Sequence, residues 1–570
     1  MTAPIQSQQI CKSPLLSESQ LSFRIGLLRK RTASYPLDTL DFIMMDLERP
    51  DLCSREAHWC TGDLTGRLLE FLSCAEGVDG KHDPRLSELF ERILRQRRPS
   101  GLFGRYAPQP INAAPEDVPT SGCDRLFSGF VRYYELTGDW RALDAATGIA
   151  EHFFSIKDKW ASWLEGWTSW ITGVKGNPIE AWISEPLARL YNITRDQRYL
   201  DFLAIINENL WPCEGSHSHG FMSIMRGLQL AAIYTGDSSW NEKPEFNRRK
   251  IIDNHYEMAD GCVGEYFPRH YRNEGCSIAD WLMMNLYSAR ISGSAEPHEK
   301  AENILWNALF LNQLVSGGFG LRDLIPSGYM TGLSEAWWCC TENCGMAMTE
   351  FAKHAVTLDS HIIKINHLIP GKFVLPVLNG PDIEVHINTN FPTSADTVVN
   401  VRKLPQGFNV DLRVPSCIAN AAVDKTQDAG EAKVTLKGKI GHWTQDYQGG
   451  VVLKYGPLVL APSAYYWDIR KEEHAAGYSP TSLPKGIPQI LCGQPDSDGF
   501  VSLSSTPLPD WSQYDEGPGA RFCVGNAAVN VPLQFDSGEV ITLRFWPLCY
   551  NTSSLNVYET PILFKGTLRT

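Results

Sequence analysis

Two adjacent cysteines, Cys339 and Cys340 in Trp337-Trp338-Cys339-Cys340-Thr341-Glu342-Asn343-Cys344-Gly345, are the most unusual local feature of the chain. Neighbouring thiols outside a disulfide framework suit a metal site or a reactive thiol; they also suit small apolar side chains that fill a core. Sixty-three residues before Cys339 stands Cys276, in Glu274-Gly275-Cys276. On a regular helix, side chains two residues apart point in nearly opposite directions, so Glu274 and Cys276 could not serve one ligand. Gly275 permits a non-helical turn from which both could enter one cleft, with an apolar helix beginning near Ser277. With Cys339 and Cys340 they make three thiolates and one carboxylate, a tetrahedral donor set suited to Zn²⁺. Glu265, nine residues before Glu274, adds a second carboxyl group. On its own it reads as a surface glutamate; beside a metal-activated thiolate it would pair an acid with a nucleophile.

These motifs resemble glycoside hydrolase family 127, formerly a domain of unknown function, whose members include β-L-arabinofuranosidases. The family pattern has a G-E-x-F element, an E-x-C element opening a helix, and a C-C-x-x-N element. Here they read Gly264-Glu265-Tyr266-Phe267, Glu274-Gly275-Cys276 and Cys339-Cys340-Thr341-Glu342-Asn343. The run from Glu302 to Leu314 resembles the family's helix before the double cysteine, and Val451 to Pro462 resembles its V-A-L-x-x-G-P-L-V strand. His217, 18 residues before Thr235, and Asp63, in an early helix, stand where the family places substrate contacts. The resemblance covers most of residues 35–465. It implies Zn²⁺ held by Glu274, Cys276, Cys339 and Cys340, with Cys339 as nucleophile and Glu265 as general acid/base. It further implies hydrolysis of a β-L-arabinofuranoside or related small glycoside with retention, through a thioglycosyl intermediate. The chain departs from the pattern in three places. The connection between Glu265 and Glu274 is shorter than is usual, Thr341 and Glu342 replace the usual prolines, and Cys123 and Arg125 stand where an earlier histidine is expected.

Other residues keep two readings. Trp338 and Trp337, beside the double cysteine, stack on a sugar or simply pack, and Trp338 is taken as a substrate-binding candidate. Cys344 reads as a helix residue, and His219 as a loop or substrate contact. Trp160, Trp163, Trp167 and Trp170 form one stripe at helical spacing, either core or the wall of a cleft. A phosphate-binding glycine loop and a G-x-S-x-G elbow are absent from the sequence.

Helices must position these groups. Asp63 to Ala75 has apolar residues near a 3.6-residue period behind an Asp suited to capping. Three apolar helices end in Thr-Gly-Asp or Thr-Arg-Asp at Thr137, Thr194 and Thr235, spacings of 57 and 41 residues. In the first two at least, a second helix follows, and repeated helical hairpins make a solenoid or a closed α/α toroid. After about residue 360 the pattern turns to alternating β-branched strands such as 361–367, 383–388 and 409–414, as in an antiparallel sandwich. The expected architecture is an (α/α)6 toroid followed by β-sandwich material. Residues 1–37 form an N-terminal segment able to join the β region, 38–358 the barrel and 359–570 the β-sandwich region. Residues 465–535 read as long loops, with final strands at 540–545 and 555–558.

The chain has 570 residues with 52 basic and 65 acidic side chains, a formal charge of −13 that repels polyanions. Neither nucleic acid nor an anionic membrane is expected as a partner; a small-molecule glycoside is, with a homodimer possible. Fifteen cysteines without regular spacing argue for reduced thiols, and a first segment without a secretory pattern makes the cytoplasm the expected compartment. Two alternatives share the scaffold. One is a zinc–cysteine lyase or isomerase of a small metabolite; the other is a non-catalytic carbohydrate-binding protein with structural zinc.

Overall fold

The computed structural model describes residues 9–11, 14–49, 61–104, 123–158, 182–210, 212–268, 271–377, 380–462, 487–503, 527–550 and 559–569. The tryptophans at 160, 163, 167 and 170 lie outside them. Twelve helices of nine or more residues fall within the described residues. They are α1 (Gln20–Thr32), α2 (Asp63–Asp79), α3 (Pro84–Leu94), α4 (Cys123–Thr137), α5 (Trp140–Ser155) and α6 (Ser184–Thr194). The others are α7 (Arg198–Glu208), α8 (Ser218–Thr235), α9 (Glu242–Asp253), α10 (Gly275–Ser292), α11 (Ala295–Asn303) and α12 (Cys340–His354).

Six of them close a ring. Helix α2 packs on α4, α4 on α6, α6 on α8, α8 on α10, α10 on α12, and α12 back on α2. An outer layer follows, with α3, α5, α7, α9 and α11 each against the preceding inner helix and α1 against α12. The burial patterns explain the division. Outer helix α3 buries only Leu86, Leu89, Phe90 and Ile93, a single stripe, whereas inner α10 is buried at every position from Gly275 to Arg290. The bore of the ring is not purely apolar. Arg132 reaches Glu185 at 3.2 Å and Glu350 at 3.0 Å, and Arg226 reaches Glu185 at 2.9 Å and Asp280 at 3.1 Å, so the buried charges are paired.

One local device makes the hairpins. Thr137, Thr194 and Thr235 each donate a side-chain hydrogen bond to the carbonyl four residues back, at 2.8, 2.8 and 2.7 Å. Each hydroxyl also accepts from the backbone N–H of the Asp two residues on, at 3.1, 3.2 and 3.1 Å. The residue between takes a left-handed conformation, φ +71° at Gly138, +61° at Arg195 and +75° at Gly236. The Asp then accepts from an N–H of the next helical turn. All three hairpins are therefore complete, the third through a short 3₁₀ turn into α9. A fourth uses serine: Ser292 donates to the Ser288 carbonyl and accepts from the Ser294 N–H, ahead of α11.

The β region begins at Val356. A four-stranded sheet contains strands 356–359, 362–365 and 409–412, and a six-stranded sheet runs from 371–375 through 383–389 and 397–404 to 419–439. The N-terminal strands 9–10 and 15–16 join these two sheets, pairing with 356–359 and 371–375. A seven-stranded sheet holds 442–462, 489–492, 529–534, 540–547 and 565–569. A further sheet sits within the helical part. There the hairpin Gly320–Ile325 and Gly328–Glu335 pairs with Arg272–Glu274 on one side and Glu559–Pro561 on the other. That hairpin lies in a segment the sequence pattern had grouped with the helices. Among the described residues no helix is long and apolar enough to cross a membrane.

Candidate active site

Two helix N-termini meet at the site. Glu274 ends the strand Arg272–Glu274 in extended conformation (φ −135°, ψ 134°) and serves as N-cap of α10, with Cys276 in its first turn. Cys339 is the N-cap of α12 and Cys340 its first residue. The expected turn at Gly275 is thus displaced: the helix starts at Gly275, not near Ser277, and the break in direction falls at Glu274. A strand-to-helix junction does what the glycine turn was expected to do, because an extended residue and a helical one two positions later can face one point. Gly275 has a different task. A Cβ there would lie 3.0 Å from the Cys340 Cβ, the Cys344 Sγ and the Asn312 Oδ1, so the missing side chain is what lets α10 and α12 touch. Gly275→Ala is expected to cost about 1–3 kcal/mol by overpacking and to loosen the cysteine cluster. Its melting curve checks this; an unchanged midpoint would contradict it.

Donor atoms of Glu274, Cys276, Cys339 and Cys340 all lie within 4.8 Å of one another. The sulfurs of Cys339 and Cys340 are 3.7 Å apart, and the Cys340 Sγ is 4.0 Å from the Glu274 carboxylate. A tetrahedron with sulfur bonds of about 2.3 Å has an edge of roughly 3.8 Å, so the thiol spacing fits a metal ion of zinc's size and geometry. Cys276 and Cys340 are buried, whereas Cys339 is half-buried. The exposed part of Cys339 is a property of the residue as a whole; its sulfur belongs to the buried donor group. Hydrogen bonds from Cys276 and Cys340 hold the Cys339 thiol well below its ordinary pKa, and Arg67 acts the same way. Burial pushes Cys276 and Cys340 up, so thiolate character concentrates on the Cys339 sulfur. Both helix N-termini favour negative charge there.

Asp63 does not cap α2. Gly62 occupies the N-cap (φ +89°), and Asp63 accepts from the Arg67 Nε at 2.8 Å, with both side chains buried. Burial opposes the charge on Arg67, but Asp63, Cys276 and Cys339 hold its pKa above the usual value. Asp63 thus orients the cation that faces the sulfurs. His217 Nε2 stands 2.9 Å from the Glu274 carboxylate. Burial raises the Glu274 pKa, and His217 overcomes that to bring it down to about 2. Reciprocally, burial lowers the His217 imidazole and Glu274 raises it further. The Tyr266 ring lies 5.1 Å from His217, centroid to centroid.

Glu265 joins His217 and Glu274 in a second group whose donor atoms lie within 4.8 Å of one another. Its N–H bonds the Arg272 carbonyl at 2.9 Å, and its carbonyl accepts from the Ser218 N–H at 2.9 Å. Gly264 and Glu265 therefore pair with the strand Arg272–Glu274, which sets Glu265 against Arg272. The Arg272 guanidinium donates to both Glu265 oxygens at 2.7–2.9 Å.

Asn343, in α12, donates to the Cys276 carbonyl at 3.2 Å and to Asp280 at 3.4 Å. Cys344 donates to the Gly275 carbonyl at 3.2 Å and stays a buried helix residue outside the donor group. His219 bonds Asp280 and stands 3.0 Å from Arg125, whose guanidinium covers the Trp182 ring; Arg125 fills the place where a histidine was expected. Trp338 packs edge-on against Trp337 at 5.3 Å, and Trp337 also meets Phe42. Arg67 and Arg272 were not singled out from sequence. Arg67 had a readable signal, four residues after Asp63 on one helix face. Arg272 had none, because its partner is fixed by the pairing of Gly264 and Glu265 with its strand.

No family model and no curated protein sequence matches the chain. Solved structures do. A GH127 β-arabinofuranosidase aligns over 98% of both chains at 16% identity with a TM-score of 0.67. A GH127 β-L-arabinofuranosidase from Geobacillus stearothermophilus T6 covers 97% of this chain and 100% of its own at 13% identity, TM-score 0.68. A third, described as a glycoside hydrolase, covers 99% of each at 13% identity, TM-score 0.65. Over nearly its whole length, the chain has the fold of the glycoside hydrolase family 127 structures.

Proposed function

We propose that the chain is a family 127 glycoside hydrolase, a retaining enzyme with Cys339 as nucleophile and Glu265 as general acid/base. Its substrate would be a β-L-arabinofuranoside or related small glycoside. The observation that supports this reading is the buried cluster of Glu274, Cys276, Cys339 and Cys340, with the half-buried Glu265 and His217 grouped against Glu274 at its edge. The ligands Glu274, Cys276, Cys339 and Cys340 would hold Zn²⁺, which when bound keeps its thiols deprotonated at neutral pH. The Cys339 Sγ attacks the anomeric carbon and the C–O bond breaks, its electrons leaving with the oxygen, which takes the Glu265 proton. Glu265 then accepts a proton from water as that water attacks the same carbon and releases the Cys339 thiolate, so configuration is retained. In this reading His217 orients the sugar, and the Asp63–Arg67 pair orients the sulfur.

A screen of nitrophenyl furanosides and pyranosides against the wild type and Glu265→Gln tests the reading. Release from at least one furanoside is expected, falling by roughly 10²–10⁴-fold in Glu265→Gln. Equal rates in the two proteins would remove Glu265 from its role.

One observation favours the lyase or isomerase alternative. Arg272 occupies both Glu265 oxygens, so this pair must open before Glu265 can deliver a proton. A lyase or isomerase step in which no leaving oxygen takes its proton from Glu265 makes no such demand. Bound metal with no cleavage of any glycoside in the screen would select this second reading.

A further inference from the structure

A seam between the helical ring and the β region borders the segments that carry Glu265 and Arg272. Gly264 and Tyr271, the residues just before those two, border a cavity of about 330 Å³ that also meets Tyr256 and Tyr447. Met258, Ala259 and Tyr447 are shared with a second cavity of about 390 Å³. Ser416, Cys417 and Trp443 are shared between that one and a third of about 310 Å³, which reaches Phe500. Each is of a size that holds a small molecule, and the shared lining residues set the three side by side along the seam.

The lining combines two chemistries. Aromatic rings recur along it, and the central one is fixed: the Trp443 indole N–H donates to the Gly456 carbonyl at 2.8 Å. Lys454 lies 5.4 Å from that ring and donates to the Asn303 Oδ1 at 3.1 Å. Between the rings stand groups that donate and groups that accept, Lys300 and Asn303 on α11 beside Glu296 and Glu299. The middle cavity is lined by four glutamates, Glu257, Glu296, Glu299 and Glu302, against two lysines, Lys300 and Lys454, so it disfavours an anionic ligand. Flat apolar faces flanked by donors and acceptors match a sugar, whose C–H face stacks while its hydroxyl edge hydrogen-bonds. We propose that this seam is a binding groove for a neutral oligosaccharide, with Trp443 as its central stacking platform.

The ligand class comes from the groove's own lining, so the inference stands apart from the hydrolytic reading. Calorimetry of the full chain carrying Glu265→Gln, titrated with linear arabino- and xylo-oligosaccharides of one to five units, tests it. In at least one series affinity should rise by about tenfold or more from monomer to tetramer. Trp443→Ala should remove that gain. Ser416→Trp, which adds bulk at an exposed position bordering two of the cavities, should do the same and serves where Trp443→Ala fails to fold. In an otherwise wild-type chain both variants should release nitrophenol from a small glycoside at the wild-type rate. Affinity independent of chain length in both series, or tetramer binding unchanged in the variants, overturns the groove. Length-dependent binding lost in the variants, with no glycoside cleaved by the wild type, upholds the groove and sinks the hydrolytic reading instead.

Discussion

Cys339→Ser is expected to lower kcat by roughly 10³-fold or more, the largest effect of any single substitution in this chain. Of the three clustered thiols, Cys339 is the one held well below its ordinary pKa by its neighbours, whereas burial pushes Cys276 and Cys340 up. A serine hydroxyl in the same place stays protonated at neutral pH and is a far weaker nucleophile. Because Cys339 also belongs to the donor group, the metal content of each variant separates its two roles. Cys340→Ala removes a donor while keeping the nucleophile, so loss of metal there with partial turnover contrasts with near-complete loss in Cys339→Ser. Mass spectrometry of the enzyme with a slow substrate should show a sugar adduct on the peptide containing Cys339. Turnover by Cys339→Ser within tenfold of wild type would falsify the nucleophile assignment.

Chelation carries the second large effect. Three sulfurs and a carboxylate within 4.8 Å of one another crowd negative charge into one buried place. A cation bound there at a thousand times its Kd adds about 4 kcal/mol to stability, so stripping it should lower Tm by on the order of 5 °C. The same treatment should abolish turnover. Zn²⁺ should restore both, and Mg²⁺ neither, since a thiolate-rich site disfavours a hard oxygen-seeking ion. Full activity in protein shown by elemental analysis to be metal-free would refute the assignment of these residues as ligands.

The donor group was legible because each half of it is local. Glu274 with Cys276, and Cys339 with Cys340, are short contiguous motifs at helix starts, so residue type and spacing were enough to propose one site. The hairpins were legible for the same reason: a Thr hydroxyl, a left-handed residue and a capping Asp act within six residues at Thr137, Thr194 and Thr235. Asp63 was misread as a cap because two local roles compete for it, and a partner four residues on the same buried face wins. The turn assigned to Gly275 failed differently. Its demand for a glycine comes from α12 across the interface, which no periodicity reveals.

Residue chemistry along the chain therefore determined which side chains can bind metal, attack carbon or cap a helix, since these depend on composition and near-neighbour spacing. The ring was expected from the helical hairpins; tertiary structure alone decided which helices neighbour one another around it and which sheets strands 9–10 and 15–16 enter. It also decided that strand 559–561 returns to the hairpin beside the site, and that Arg272 locks onto Glu265. Those outcomes depend on pairings between residues tens to hundreds of positions apart. Their energies come from burial and register across a closed fold, which the order of residues specifies only once the whole chain has packed.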